Sequence, residues 1–332
     1  MNIQGCEKMK VAIIGTGAYG LALALTIAEN NHQVMMWTKF EEEKRIIEEK
    51  HSYDKVLPNI IIPDKIEITL DMKNCLDQAK LIIIAVPAGF VNDICLEMKK
   101  WITPDQHICI ASKGIEQGTY LFINDVVKKH IKTSQIAVIS GPSFAIDIAS
   151  KMPIGLTLAT ENNETDLIIK TALENTHFKL RSTTDIYGTE ICGAIKNVIA
   201  IASGMLNGLK APESTQAMFI TESLHDVKAL IKNLDGDGNT ILSFAGFGDL
   251  LLTCTSKKSR NFTFGHYLAT KTQTEIEEYI HSHTIEGLYT LKAIYKLISE
   301  KKVDIPIINL IYDIVFHQKN PKELLTFLIE KE

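Results

Sequence analysis

The chain has 332 residues, with 35 basic against 40 acidic side chains and a formal charge of −5. That length suits about two domains with a core that needs no staples, and that charge argues against a polybasic nucleic-acid surface. The six cysteines (Cys6, Cys75, Cys95, Cys109, Cys192 and Cys254) are scattered without metal-ligand or redox spacing, so they read as reduced thiols in a cytoplasmic protein with no metal site.

Residues 1–9 are short and polar, with no apolar segment of the kind a signal peptide carries. Val11 to Ile14 reads as a short buried strand. It runs into Gly15-Thr-Gly-Ala-Tyr-Gly20 and a helical stretch to Asn30. Gln33 to Trp37 is a second strand, and the charged stretch Glu41 to Lys50 is helical. Leu81 to Val86 is a continuous apolar run of strand length, as expected in a parallel sheet covered on both faces. It is the longest such run and reaches Pro87 too soon to cross a bilayer, so no membrane contact is expected. Further strands fit at Ile108–Ala111, Ile136–Ser140, Gly155–Ala159 and Phe178–Ser182. After about Asp185 helical periodicity takes over, at 187–209, 214–233, 248–255, 284–300, 307–317 and 321–330, with Pro212, Pro306 and Pro321 near helix starts. The expected fold is therefore an α/β chain. A doubly wound, Rossmann-type parallel sheet occupies residues 1–185, an all-α domain occupies 186–332, and the active site lies between them.

The spacing Gly15, Gly17, Gly20 is weak evidence alone. Directly after an apolar strand and opening a helix, it fits a dinucleotide: Gly15 for the tight turn, Gly17 for backbone approach to the pyrophosphate, Gly20 for helix–strand packing. The other reading is an ordinary glycine-rich turn. At the end of the second strand, Trp37-Thr-Lys39 lacks the acid that usually takes a ribose 2′-hydroxyl. Lys39 leans towards NADP, whose 2′-phosphate it would pair with. The alternative leaves Lys39 solvated and gives the ribose to Glu41 or Glu42, in an NAD enzyme.

In the helical half, Lys196 is the one charge between Ile191 and Leu209. A buried ammonium needs a partner or must snorkel, and desolvation moves it towards useful proton transfer. Asp249 is the one carboxylate between Asp237 and Glu275. It reads either as a helix N-cap or as a site acid sharing a helix face with Thr253. Arg260-Asn261 offers a planar guanidinium and an amide, suited to an anion. Base, acid and anion clamp together suit a phosphorylated keto substrate.

From about residue 10 to 330 the sequence resembles the bacterial-type NAD(P)-dependent glycerol-3-phosphate dehydrogenases. The motifs run in order: Gly15–Gly20; Ala85-Val-Pro87; Lys113-Gly-Ile-Glu116; Ser140-Gly-Pro-Ser-Phe-Ala145; Cys192 to Ile201; Gly246-Phe-Gly-Asp-Leu250; Thr253-Cys-Thr255; Ser259-Arg-Asn261; and Glu286-Gly287. The resemblance implies reduction of dihydroxyacetone phosphate to sn-glycerol 3-phosphate, supplying phospholipid synthesis, with no nucleic-acid partner and with a homodimer as the assembly to test. It implies Lys196 as proton donor and acceptor, with Asp249 and Lys113 as its catalytic companions. Substrate contacts would come from Lys113, Gly141, Ser143, Lys196, Asp249, Thr253, Ser259, Arg260 and Asn261. Cofactor contacts would come from Gly15, Gly17, Ala18, Tyr19, Gly20, Lys39, Lys113, Ala145, Arg260, Thr284 and Glu286.

The sequence departs from the family pattern at Pro212-Glu213, Glu222, Asp147, Phe262-Thr-Phe-Gly265 and the Tyr53–Pro58 loop. These departures leave open a dehydrogenase of a modified triose phosphate or a hydroxy acid. A dinucleotide-binding sensor without catalysis is the reading from another class.

Overall fold

The computed structural model describes residues 8–331. Cys6 and most of the polar N-terminal stretch lie outside them. The chain divides into two compact units. One takes in the chain through Glu116 together with Leu121–Ile186; the other takes in Gln117–Tyr120 and the chain from Tyr187 onward.

The first unit alternates strand and helix. In chain order it runs β1 (Lys10–Ile14), α1 (Ala18–Glu29), β2 (Gln33–Trp37), α2 (Glu41–Lys50), β3 (Ile66–Thr69), α3 (Met72–Leu76), β4 (Leu81–Ile84) and α4 (Val91–Met98). It continues with β5 (His107–Ile110), α5 (Ile123–His130), β6 (Ile136–Ser140), α6 (Ala145–Ala149), β7 (Ile154–Ala159), α7 (Asn163–Leu173) and β8 (Phe178–Thr183). The eight strands form one sheet ordered β3-β2-β1-β4-β5-β6-β7-β8. Every pairing is parallel except β6 with β7, which run antiparallel. The sheet is thus the expected doubly wound, mostly parallel one, with a single antiparallel junction where β7 returns beside β6 after the short α6.

The strands are apolar end to end because both faces are covered. Val11 and Ile13 join Leu21, Leu23 and Ile27 of α1 in one buried cluster. Ala12 and Ile14 join Met72, Leu76 and Val91 in another. Side chains alternate across a strand, so a strand between two helical layers has no solvent face to keep polar. β3 at the sheet edge is different: Glu67 is exposed while Ile66 and Ile68 are buried. That mixed, four-residue edge strand carries little sequence signal.

The second unit is helical. It contains α8 (Ile186–Gly208), α9 (Glu213–Asn233), α10 (Asp249–Thr255), α11 (Arg260–Thr270), α12 (Gln273–Ser282), α13 (Glu286–Lys301), α14 (Pro306–His317) and α15 (Glu323–Glu330). α8 is long and apolar enough to cross a membrane, but 83% of its most apolar window is buried in the protein, as for a central core helix. α11 crosses it at backbone contact. A Cβ added at Gly265 would stand 1.8 Å from the Ile201 carbonyl oxygen, and one at Gly204 would stand 2.0 Å from that of Phe262. This glycine pair lets two helices approach closer than any side chain permits.

α11 and α12 are absent from the sequence expectations. Yet α12 opens on a capping box, with the Thr272 hydroxyl accepting from the Glu275 backbone N–H and Glu275 accepting from that of Thr272, a pattern readable as Thr-x-x-Glu.

Candidate active site

In the first unit the sheet order reverses between β1 and β4, and open α/β sheets bind ligands beyond the strand ends at such a point. A cleft of about 650 Å³ lies there, lined by Gly15 to Gly17, Trp37 to Phe40, Glu43, Leu70, Ala85 to Pro87 and Phe90. Gly15 has φ +113°, and a Cβ there would stand 3.0 Å from the Ala85 carbonyl oxygen, so the turn admits only glycine. At Gly17 the same addition would meet nothing within 4 Å: its Cβ direction opens on free space. Gly17 caps α1 with no side-chain hydrogen bond, leaving backbone N–H groups directed at an incoming anion. Ala18 and Tyr19 form the first turn of α1, and Gly20 lies with its added Cβ direction 2.4 Å from the Gly15 carbonyl oxygen. These residues fit a dinucleotide.

Lys39 is exposed, its Nζ 5.1 Å from the centroid of the Phe40 ring and 5.3 Å from that of Phe90. Of the acids that follow, Glu41 and Glu42 are exposed and do not line the cleft, against the alternative that gave one of them the ribose. Glu43, one residue further on, does line the cleft, as do Asp93 and Glu97 from α4. Glu43 Oε2 accepts hydrogen bonds from the Thr16 hydroxyl at 2.5 Å and the Thr38 hydroxyl at 2.6 Å.

A second cluster in this unit gathers the ends of β5 and β6 and the start of α1. Lys113 Nζ donates to the Gly141 carbonyl oxygen (3.2 Å), Ser143 Oγ donates to the same oxygen (3.1 Å), and the Tyr19 hydroxyl is 3.3 Å from Ser143 Oγ. The Lys113 ammonium also lies 5.9 Å from the Tyr19 ring. Ala145 is the first residue of α6.

In the second unit Lys196 Nζ donates to Asp249 Oδ1 at 2.6 Å. Lys196 is 9% exposed and Asp249 1%. Asp249 is not an N-cap: Gly248 holds that position, after a π-helical turn over Phe244–Gly248. Asp249 is instead the first residue of α10, its carboxylate turned to Lys196. Thr253, one turn on, donates to the Asp249 carbonyl oxygen at 2.6 Å, with its hydroxyl 3.5 Å from Asp249 Oδ1. So Lys196, Asp249 and Thr253 do come together, on two helices.

The Arg260-Asn261 pair does not act as one clamp. Arg260 is exposed at the start of α11, whereas Asn261 is buried. The Asn261 amide is committed to the protein, its Nδ2 donating to Asn197 Oδ1 (3.0 Å) and its Oδ1 accepting from the Gly287 N–H (2.9 Å). Asn197 Nδ2 in turn donates to Glu286 Oε2 (3.3 Å). This chain ties α8, α11 and α13 together beside Lys196, and Asn197 was not singled out from sequence. Ser259 is the N-cap of α11, accepting from the Phe262 N–H. Thr284 is exposed just before α13. Glu222, a departure from the family pattern, forms an ion pair with Lys331, which also pairs with Asp226.

A glycine turn at a sheet switch point and a buried lysine–carboxylate pair define a dinucleotide-binding oxidoreductase. The model for the NAD-dependent glycerol-3-phosphate dehydrogenase N-terminus matches residues 10–166, and that for the C-terminus matches residues 185–326. The chain belongs to this family. It is 33% identical to a glycerol-3-phosphate dehydrogenase (NAD(P)+) of Bacillus pumilus over 97% of this chain and 94% of that protein. One from Agathobacter rectalis is 32% identical over 97% and 96%. A crystal structure of glycerol-3-phosphate dehydrogenase from Coxiella burnetii superposes with a TM-score of 0.90 at 30% identity, covering 98% of this chain and 99% of that one.

Proposed function

We propose that this protein, like the glycerol-3-phosphate dehydrogenases (NAD(P)+) it is similar to, acts on sn-glycerol 3-phosphate, and that it reduces dihydroxyacetone phosphate to it, reversibly, with NADH or NADPH. The observation that carries the reading is the buried 2.6 Å pair of Lys196 and Asp249. Reduction of a ketone needs a hydride, which a bound nicotinamide supplies, and a proton for the oxygen on which charge builds. A lysine ammonium is both electrostatic stabiliser and proton donor for that oxygen. Asp249 fixes the Lys196 side chain through Oδ1, and Thr253 buttresses Asp249. In the reverse direction Lys196 takes the proton back.

In this reading residues 1–185 bind the dinucleotide and residues 186–332 carry the acid/base chemistry. Gly15, Gly17, Ala18, Tyr19 and Gly20 hold the pyrophosphate, with Ala145, Thr284 and Glu286 as further cofactor contacts. Lys113, Gly141 and Ser143 offer polar groups to the substrate. Arg260, exposed and planar, meets phosphate, while Asn261 and Ser259 act mainly by shaping the backbone that presents it. In this reading the protein works in the cytoplasm with no nucleic-acid or membrane partner, and a homodimer is the assembly to test.

The test is product identification. Purified protein with dihydroxyacetone phosphate and NADH or NADPH should yield sn-glycerol 3-phosphate, identified by NMR and a stereospecific coupled assay. Turnover of 2-keto acids with none of the triose phosphate would replace the reading with a hydroxy-acid dehydrogenase. Tight coenzyme binding without turnover of either substrate class would replace it with a sensor.

A further inference from the structure

The Glu43 carboxylate stands where coenzyme choice is made. Thr16, between the first two loop glycines, and Thr38, directly after β2, belong to the two segments that flank the adenosine ribose in this fold class. Both hydroxyls donate to Glu43 Oε2, at 2.5 and 2.6 Å. Oε1 accepts from the Tyr53 hydroxyl at 3.4 Å. The Tyr53 hydroxyl is pushed above its ordinary pKa, by burial first and then by the charge of Glu43, so it stays a donor.

An ionised carboxylate has about four acceptor positions. Two on Oε2 and one on Oε1 are taken, which leaves one on Oε1, in a cleft lined by Glu43 itself. A ribose 2′-hydroxyl can donate there. A 2′-phosphate has no proton to give at neutral pH and would face a like charge. Lys39, exposed and set against the Phe40 and Phe90 rings, supplies a single cation that this carboxylate offsets.

We propose that Glu43 selects the coenzyme, accepting the 2′-hydroxyl of NAD(H) and disfavouring the 2′-phosphate of NADP(H), so that this chain prefers NADH. The inference rests on the dehydrogenase reading above and reverses the lean that Lys39 alone suggested. Glu43 takes the role usually held by an acid at the strand end, reaching the same place from the first turn of α2.

Equilibrium titration by coenzyme fluorescence and by calorimetry tests it without turnover. The probes are NADH, NADPH, ADP-ribose and 2′-phospho-ADP-ribose, on wild type and Glu43→Gln. Gln keeps an acceptor oxygen for the threonines but not the charge. Wild type should bind NADH and ADP-ribose at least about tenfold tighter than their 2′-phosphorylated partners. Glu43→Gln should shrink that ratio by about tenfold, chiefly by tightening the phosphorylated ligands. Wild type binding NADPH as tightly as NADH overturns the inference even if Glu43→Gln fails to fold. An unchanged ratio in a folded Glu43→Gln, checked by circular dichroism, also overturns it, because a merely structural Glu43 would alter both ligands alike. If wild type binds none of the four probes, the dehydrogenase reading falls as well.

Discussion

Lys196 is legible in the sequence as a lone charge on an apolar helix, but its partner is not. Asp249 lies 53 positions away and reads equally well as a helix cap. Burial decides between the two: an unpaired ammonium inside α8 would be costly, and the Asp249 carboxylate at 2.6 Å answers it. Removing one member of a buried ion pair costs about 3–5 kcal/mol. Asp249→Ala should therefore lower the unfolding free energy by about that amount in urea titration, and a change below about 1 kcal/mol would mean that the pair is solvated. Glu43 shows the opposite limit. The strand end, Trp37 to Lys39, holds no acid, and the alternative of Glu41 or Glu42 stops one residue short. Only the winding of α2 brings the third glutamate back to Thr16 and Thr38.

At the scale of elements, long apolar runs and glycine turns carry the signal. β1, β2, β4, β5 and β6 sit where continuous hydrophobicity puts them, because both sheet faces are covered. β3 escapes because an edge strand with an exposed Glu67 is short and mixed. α11 escapes because its stretch carries a glycine, Gly265, which weakens a helix signal; that glycine serves helix crossing instead. Gly265→Ala places a methyl group 1.8 Å from the Ile201 carbonyl oxygen, so the helices must part. Overpacking of this kind costs about 1–3 kcal/mol. Because Asn261 on α11 holds Asn197 next to Lys196, a lower melting temperature should come with reduced kcat. An unchanged melting temperature in scanning calorimetry would show that the crossing is loose.

Across the whole molecule, the scattered cysteines are a consequence of core composition. Cys75, Cys95, Cys109, Cys192 and Cys254 are all buried and outside any disulfide. Burial pushes the pKa of Cys75 and of Cys95 up from 9.0 to about 12, and raises Cys109 and Cys254 likewise. Below pH 9 the thiols are protonated folded or unfolded and add no pH dependence. As pH rises from 9 to about 12 the unfolded chain gives up protons that the folded chain retains, so stability should fall across that window. At pH 8 a thiol-specific disulfide reagent should leave these five unmodified until denaturant is added; rapid native labelling of more than one thiol per chain would contradict that. The glycine loop, the lysine and the fold class were readable because each depends on local spacing. The network through Asn197, Asn261 and Glu286 was not, because it depends on which helices meet; the Ser259 cap is local, a bond from Phe262 three residues on, but it belongs to a helix the sequence pattern did not announce. The most direct test of the account is loss of absorbance by reduced nicotinamide when dihydroxyacetone phosphate is added to wild type and to Lys196→Ala. The account predicts rapid oxidation by wild type and a fall in kcat of about 10²–10⁴ in the variant, with coenzyme affinity retained. Near-normal turnover by Lys196→Ala would contradict it.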